Sequence, residues 1–187
     1  MNSTQDSLPA GVRIRDLVPR PDGRGMFFEF LREQWPIGFK PVQWNASVSH
    51  AGVLRGVHVH WQHFDYLVLL SGVLLLGLHD LRPESPTRGL SRLVRMDANA
   101  PRGITIPPGV CHGFYFPVAS VYVNAVSSHW DTRDELGCRF DAPELNILWP
   151  DADPLLSERD RNGGSYTAML AAYNAWRKAL AVQEKPE

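Results

Sequence analysis

Apolar positions in this chain fall into short runs separated by Pro, Gly and Asp, without the long three- and four-residue periodicity of a helical protein. The most apolar run, the 12 residues from Leu67 to Leu78, is broken only by Ser71-Gly72 and Gly77. It reads as two strands paired around a tight turn. Val12–Val18 predicts a short strand, followed by a turn at Pro19-Arg20-Pro21-Asp22-Gly23 and an aromatic-rich strand over Met26–Leu31. Gln43–Ser49 and Val53–His58 are strands on either side of a turn at Ala51-Gly52. Tyr66–Leu70, Val73–Leu81, Leu90–Met96, Gly103–Ile106, Gly113–Phe116 and Val121–Val126 continue the series. Short strands at this spacing predict an all-β antiparallel sandwich or barrel.

The pattern changes near the end. Ser165 is placed to cap a helix carrying Tyr166, Met169, Tyr173, Trp176 and Leu180 on one stripe, the face of a helix that docks on a barrel or a partner subunit. The expected organisation is a tail over residues 1–11, a barrel over 12–164 and a C-terminal helix over 165–187.

Composition narrows the function classes. Hydrophobic residues at 44%, charged residues at 21% and a formal charge of −1 describe an ordinary globular chain. Without a basic patch there is no footprint for nucleic acid or an anionic membrane. The longest apolar run is too short to span a bilayer, and the polar N-terminus lacks signal-peptide character, so a cytoplasmic location is expected. Cys111 and Cys138 do not form a disulfide framework. Cys111 beside His112 is either a nucleophilic thiol or, more simply, a small buried strand residue.

The candidate chemistry lies in histidines. Gly52-Val53-Leu54-Arg55-Gly56-Val57-His58-Val59-His60 and Ile106-Pro107-Pro108-Gly109-Val110-Cys111-His112-Gly113-Phe114 deliver imidazoles from neighbouring strands of one barrel. Such a site suits proton transfer or metal binding.

Several motifs then occur in a telling order: Asp22-Gly23-Arg24-Gly25 with Phe27-Phe28-Glu29; Val42-Gln43 with Asn45 and Ser47; Val53-Leu54-Arg55-Gly56 with His58; Asp80-Leu81-Arg82 with Ser85-Pro86-Thr87; Ile106-Pro107 with Gly109 and His112-Gly113-Phe114; and Leu156-Ser157 with Asp160. With these residues the chain resembles the dTDP-4-dehydrorhamnose 3,5-epimerases, cupin-fold enzymes of deoxysugar nucleotide biosynthesis. The resemblance implies a cupin-type jelly-roll barrel, a homodimer, no cofactor and a nucleotide-linked 4-keto-6-deoxyhexose as substrate. It implies that Arg24, Phe27 and Glu29 reach the nucleotide in the neighbouring subunit's site. Gln43, Asn45 and Arg55 would hold nucleotide or pyrophosphate, where an arginine fork grips phosphate oxygens in pairs. His58 matches the base that removes the proton beside the ketone, Asp160 the carboxylate that orients it, and His112 a second active-site histidine.

Two positions depart from the pattern. Asp65 stands where the resemblance implies a lysine that steadies the enolate, and Asn124 where it implies the tyrosine that reprotonates the opposite face. Tyr122, two residues earlier on the same strand face, is the candidate substitute acid. The later aromatic pair is His129-Trp130. A second reading stays open: Gly52-x5-His58-x-His60-x4-Asp65-x6-Gly72 with Pro107-x-Gly109-x2-His112 follows the metal-cupin spacing. In that reading His58, His60, Asp65 and His112 hold one divalent transition metal, and His58 is no longer a free base. The same residues would also suit a keto-sugar isomerase working on one face, which needs no opposite acid, or a non-catalytic binding barrel.

Overall fold

The computed structural model describes residues 7–129, 131 and 134–183. Within them twelve strands run in the order β1 (Arg13–Asp16), β2 (Arg20–Asp22), β3 (Gly25–Phe27), β4 (Gln43–Ser49), β5 (Val53–His60), β6 (Asp65–Ser71), β7 (Val73–Asp80), β8 (Ser91–Asp97), β9 (Arg102–Ile106), β10 (Val110–Phe116), β11 (Ser120–Val126) and β12 (Glu135–Gly137). A short helix α1 (Glu158–Arg161) and the C-terminal helix α2 (Tyr166–Gln183) follow. Two five-stranded antiparallel sheets face each other, β1-β9-β6-β11-β4 and β12-β5-β10-β7-β8, with β2 and β3 forming a separate ribbon. This is the jelly-roll barrel with a C-terminal helix that the strand pattern and the motifs predict.

The long apolar run divides as its Ser71-Gly72 break requires. β6 enters one sheet and β7 the other, and Leu67, Leu69, Leu74, Leu76 and Leu78 meet Ile104, Ile106 and Phe116 between them. Because helix α2 and the loops cover the outer face of the second sheet, its strands are apolar on both sides. Leu54, Val57, Val59, Cys111 and Tyr115 pack there with Met169 and Tyr173 of α2. Each such fully buried side chain contributes roughly 1.5–3 kcal/mol relative to exposure. The Ser165 hydroxyl accepts from the Ala168 amide at 3.1 Å and caps α2 as expected. Among the described residues no helix is long and apolar enough to cross a membrane.

Two expected elements differ. The stretch Met26–Leu31 is strand only through Phe27; beyond it Phe28 and Leu31, with Trp35 and Phe39, lie over the outer face of the first sheet against Tyr66, Val68 and Ala125. An aromatic cover needs no ladder partner, so the aromatics there report packing and not strand pairing. The turn placed over 19–23 sits later: Arg20–Asp22 is paired strand, and the Asp22 carboxylate accepts from the Arg24 amide at 2.8 Å to close the turn. Cys111 is fully buried, and burial pushes its thiol well above the usual range, which removes it as a nucleophile.

The Asp80-Leu81-Arg82 and Ser85-Pro86-Thr87 motifs prove to be scaffold. Asp80 accepts from the Arg82 guanidinium, Ser85 and Thr87, while Arg82 also donates to the Ala10 carbonyl and ties down the start of the described chain.

Candidate active site

The cavity opens between the two sheets and has a volume of about 550 Å³, within the range of small-molecule sites. The sheets deliver different groups to it. From β5 come His58 and His60, which share a face by strand alternation, and Arg55, which reaches the same cavity because a bulge between residues 55 and 58 shifts the pairing with β10; from β10 comes His112, paired in register with His58. From the opposite sheet come Asp65 at the start of β6, Asn45 on β4, and Tyr122 and Asn124 on β11. Ser157, Arg159 and Asp160 close the rim from the α1 region.

Local backbone chemistry sets these positions. Pro107-Pro108-Gly109 turns the chain into β10, with Gly109 at φ +78°, a conformation that suits glycine; its amide donates to the His60 carbonyl at 2.7 Å and locks the two histidine-bearing strands together. Gly56, at φ +110°, has no room for a Cβ, which would lie 2.8 Å from the His112 carbonyl. Val53 and Leu54 are bridged to Leu155, bringing the Ser157–Asp160 turn beside His58. Ser157 caps α1 by accepting from the Asp160 amide, and its hydroxyl donates to the Asp160 carboxylate at 2.9 Å.

His58 lies between two carboxylates. Its Nε2 is 2.7 Å from Asp160 Oδ1 and its Nδ1 is 3.0 Å from Glu135 Oε1. Burial resists the Asp160 charge, but the hydrogen bond and charge of His58 and the Ser157 hydroxyl hold its carboxyl below the usual range. Glu135 behaves alike: burial opposes its charge, and Arg159, at 2.9 Å, together with His58 outweighs it. Sequence reasoning missed Glu135 and Arg159. Arg159 carried a signal, standing beside Asp160 in a motif already singled out; Glu135, on the three-residue strand β12, carried none.

The second cluster lies deeper. The rings of His60 and His63 stack at 3.7 Å between centroids, and His112 lies 5.2 Å from His60. Each ring binds an oxygen through Nδ1: His60 the Asp134 carbonyl at 3.0 Å, His63 the Asp134 carboxylate at 2.6 Å, His112 the Val110 carbonyl at 3.2 Å. Burial, with His112 and His63 alongside, pushes His60 down to about 3; burial likewise lowers His112 despite the Asp65 carboxylate. Burial also works against a charged His63, yet the hydrogen bond to Asp134 and the carboxylates of Asp65, Asp134 and Glu135 prevail and raise it.

The two departures in the sequence meet. Asn124 donates its side-chain amide to Asp65 Oδ1 at 3.0 Å, across the β6–β11 ladder. The two positions that depart from the expected pattern are thus hydrogen-bond partners, a carboxylate with an amide donor.

The cavity therefore gathers Asn45, Arg55, His58, His60, Asp65, His112, Tyr122, Asn124 and Asp160. It does not include Arg24, Phe27 or Glu29, which stand in or beyond the outlying ribbon; Arg24 is ion-paired with Asp22, Glu29 with Arg32, and Phe27 is 64% exposed. Gln43 stands on the same strand face as Asn45, outside the lining, and donates to Asn45 Oδ1 at 2.7 Å. Trp130 lies outside the described residues. The residues of the metal-cupin spacing divide in the structure. His60, Asp65 and His112 place ligand atoms within 4.8 Å of one another, as do His60, His63 and Asp134, but His58 joins neither group among the described residues because its two nitrogens face Asp160 and Glu135.

The sequence pattern of the family described as dTDP-4-dehydrorhamnose 3,5-epimerase matches residues 8–167. The chain is 35% identical over 179 residues to the dTDP-4-dehydrorhamnose 3,5-epimerase of Pseudomonas aeruginosa, covering 89% of this chain and 96% of that protein. It is 30% identical over 183 residues to a dTDP-4-dehydro-6-deoxyglucose 3-epimerase of a Streptomyces species, covering 90% and 93%. Among solved structures, a 3'-monoepimerase from Streptomyces bikiniensis in complex with dTDP-quinovose superposes with a TM-score of 0.81 at 29% identity, covering 94% of this chain and 96% of that one.

Proposed function

The chain belongs to the dTDP-4-dehydrorhamnose 3,5-epimerase family and is a sugar-nucleotide epimerase of deoxysugar biosynthesis, and we propose that His58 is the base acting beside the ketone of its dTDP-linked 4-keto-6-deoxyhexose. The observation that carries this assignment is the 2.7 Å contact of His58 Nε2 with Asp160 Oδ1 inside the cavity. A hydrogen beside a ketone is acidic because the resulting carbanion spreads its charge onto the carbonyl oxygen. Removing it needs an oriented base whose positive charge, once protonated, is balanced. Asp160 supplies the orientation and the balance. We assign Nδ1, which Glu135 approaches at 3.0 Å, as the nitrogen that takes up the proton, because Asp160 holds Nε2 by the shorter contact and is itself fixed by Ser157. Glu135, anchored by Arg159, then stands at the nitrogen that receives the proton and draws the charge toward it.

Inversion needs a proton from the other face. Tyr122 projects into the cavity from β11, in the sheet opposite the one that carries His58, and its ring is held against Phe114 and Phe116. It serves as the acid in place of the residue at 124. Asn45 and Asn124 position the sugar and base, with His112 behind them on β10. Arg55, whose guanidinium rests on the neutral oxygens of Ser49 and Val48, takes the pyrophosphate. Gln43 supports Asn45 through their hydrogen bond.

A homodimer completes the site. Arg24, Phe27 and Glu29 lie outside their own chain's cavity, on a ribbon that projects from the barrel. The edge strand β4 exposes Trp44 at 57% and Val48 at 71% on its outer face, an apolar stripe that a second copy would cover. Light scattering then gives twice the 21.0 kDa chain mass; a monomer at working concentration removes this part of the reading. A nucleotide-diphosphate substrate does not cross membranes unaided, so we assign the enzyme to the cytoplasm, which cell fractionation reads directly.

The test of the chemistry is deuterium wash-in from D2O at C3 and C5 of dTDP-4-dehydro-6-deoxyglucose, followed by mass spectrometry. His58→Ala abolishes wash-in at both carbons while nucleotide affinity stays. Unchanged exchange in that variant sinks the assignment.

A further inference from the structure

We propose that the cluster behind His58 is a metal site: His60 Nε2, His112 Nε2 and a carboxylate oxygen of Asp65 hold one divalent first-row transition ion, with His63 as flanking fourth donor. Binding of the ion does not depend on the epimerase reading.

Three observations converge. The first is distance. Ligand atoms of His60, Asp65 and His112 all lie within 4.8 Å of one another, so a common centre is no more than about 2.8 Å from each. Bonds of about 2.0–2.2 Å are reached by shifts of less than an ångström, small for side-chain termini. His60 Nε2 is 3.9 Å from Asp65 Oδ2, and His63 Nε2 approaches the same oxygen at 3.6 Å.

The second is orientation. A ligating imidazole nearly always donates its other N–H to a carboxylate or backbone carbonyl, which fixes the ring and leaves a lone pair for the metal. Here all three rings have that arrangement. Nδ1 of His60 and of His112 binds a backbone carbonyl and Nδ1 of His63 a carboxylate, so the Nε2 atoms are turned to the Asp65 side. The Asp65 carboxylate is likewise oriented, by the Asn124 amide on its other oxygen.

The third is donor chemistry. Two or three imidazoles with one carboxylate suit zinc, iron, manganese, cobalt or nickel, and do not suit magnesium or calcium, which take oxygen ligands. The donors are buried and line a cavity that a small ion can enter. His58 stays outside the set, so metal and base can coexist. Where the cavity holds a keto-sugar, an ion held by His60, His112 and Asp65 would supply positive charge beside the carbonyl. This consequence rests on the epimerase reading; the binding does not.

The test uses the full chain without a histidine tag, stripped with chelator, dialysed and titrated with Co(II) and Zn(II) chloride. Absorption in the visible region follows Co(II), and elemental mass spectrometry counts bound zinc after desalting. We expect one equivalent per chain in the wild type and in His58→Asn, which lies outside the set, with affinity at least 100-fold weaker in His60→Asn and in Asp65→Asn. Circular dichroism and thermal melts of the apo proteins show that the variants fold; should one fail to, His112→Asn takes its place. Less than about a tenth of an equivalent in the folded wild type overturns the proposal, leaving His60, His63, Asp65 and Asp134 as a hydrogen-bonded network only. So does full binding in His60→Asn and Asp65→Asn, which would place the ion on other histidines. Absence of deuterium wash-in in the metal-loaded wild type would count against the epimerase assignment and not against this site.

Discussion

Asp160→Asn isolates the electrostatic part of the proposed base. The substitution keeps the side-chain volume and leaves the backbone amide of residue 160 on its cap, the Ser157 hydroxyl. What it removes is the negative charge 2.7 Å from His58 Nε2. A hydrogen bond to a charged group is worth about 1.5–3 kcal/mol, and each 1.36 kcal/mol is a factor of ten in rate. The interaction strengthens as His58 takes up the proton, so the loss falls on kcat, by about 10- to 150-fold. KM for the dTDP-sugar moves by less than about threefold, because this contact is not made to the substrate ground state. Glu135, still 3.0 Å from Nδ1, keeps one anionic partner in place and is why the loss stays short of complete inactivity. The assay is initial-rate deuterium wash-in at C3 of dTDP-4-dehydro-6-deoxyglucose, with a thermal melt to show that the variant is folded. A wash-in rate within twofold of wild type, or a loss carried entirely by KM, would refute the dyad.

Tyr122→Phe separates proton removal from reprotonation: exchange on the His58 face continues while net epimerisation falls at least tenfold, as read by NMR of the product stereochemistry. Equal loss, or no loss, of both would remove Tyr122 as the acid. The scaffold carries its own pH signature. Burial opposes the Asp80 charge, but Arg82, Ser85 and Thr87 hold its carboxyl at about 2, against an ordinary value of 3.8. A depressed carboxyl stabilises the fold fully above the unfolded value and loses that contribution as pH falls from about 4 through 2, roughly 2 kcal/mol in all. Urea midpoints for wild type and Asp80→Asn should therefore converge as pH is lowered over that window; a constant gap would show that the Asp80 charge is not the source.

The resemblance located most of the site but not its wiring. Motif order pointed to Asn45, Arg55, His58, His112 and Asp160, and the cavity contains them all. Counting along the strands also identified Asp65 and Asn124 as departures, yet nothing in one dimension showed that these two, 59 residues apart, share a hydrogen bond. His63 falls in none of those motifs. Its tie to Asp134, across 71 residues, is what makes it part of the cluster.

By itself the sequence determined the strands and their faces. Alternation and turn residues act over a few positions, and a one-residue slip would turn every apolar side chain outward; hence the agreement over β4 to β11 and at the Ser165 cap. The tertiary structure decided what depends on long-range approach. It turned Phe28 and Leu31 into a cover over Tyr66 and Val68 instead of a strand, because burial against a sheet face satisfied them without a ladder. It brought Glu135 and Asp160 to opposite nitrogens of one imidazole. It thereby separated His58 from His60, two residues apart on one strand, into a proton-transfer group and a ligand group. Which polar groups meet at hydrogen-bond distance is set by how sheets and loops close on each other, and that closure is not written in local spacing.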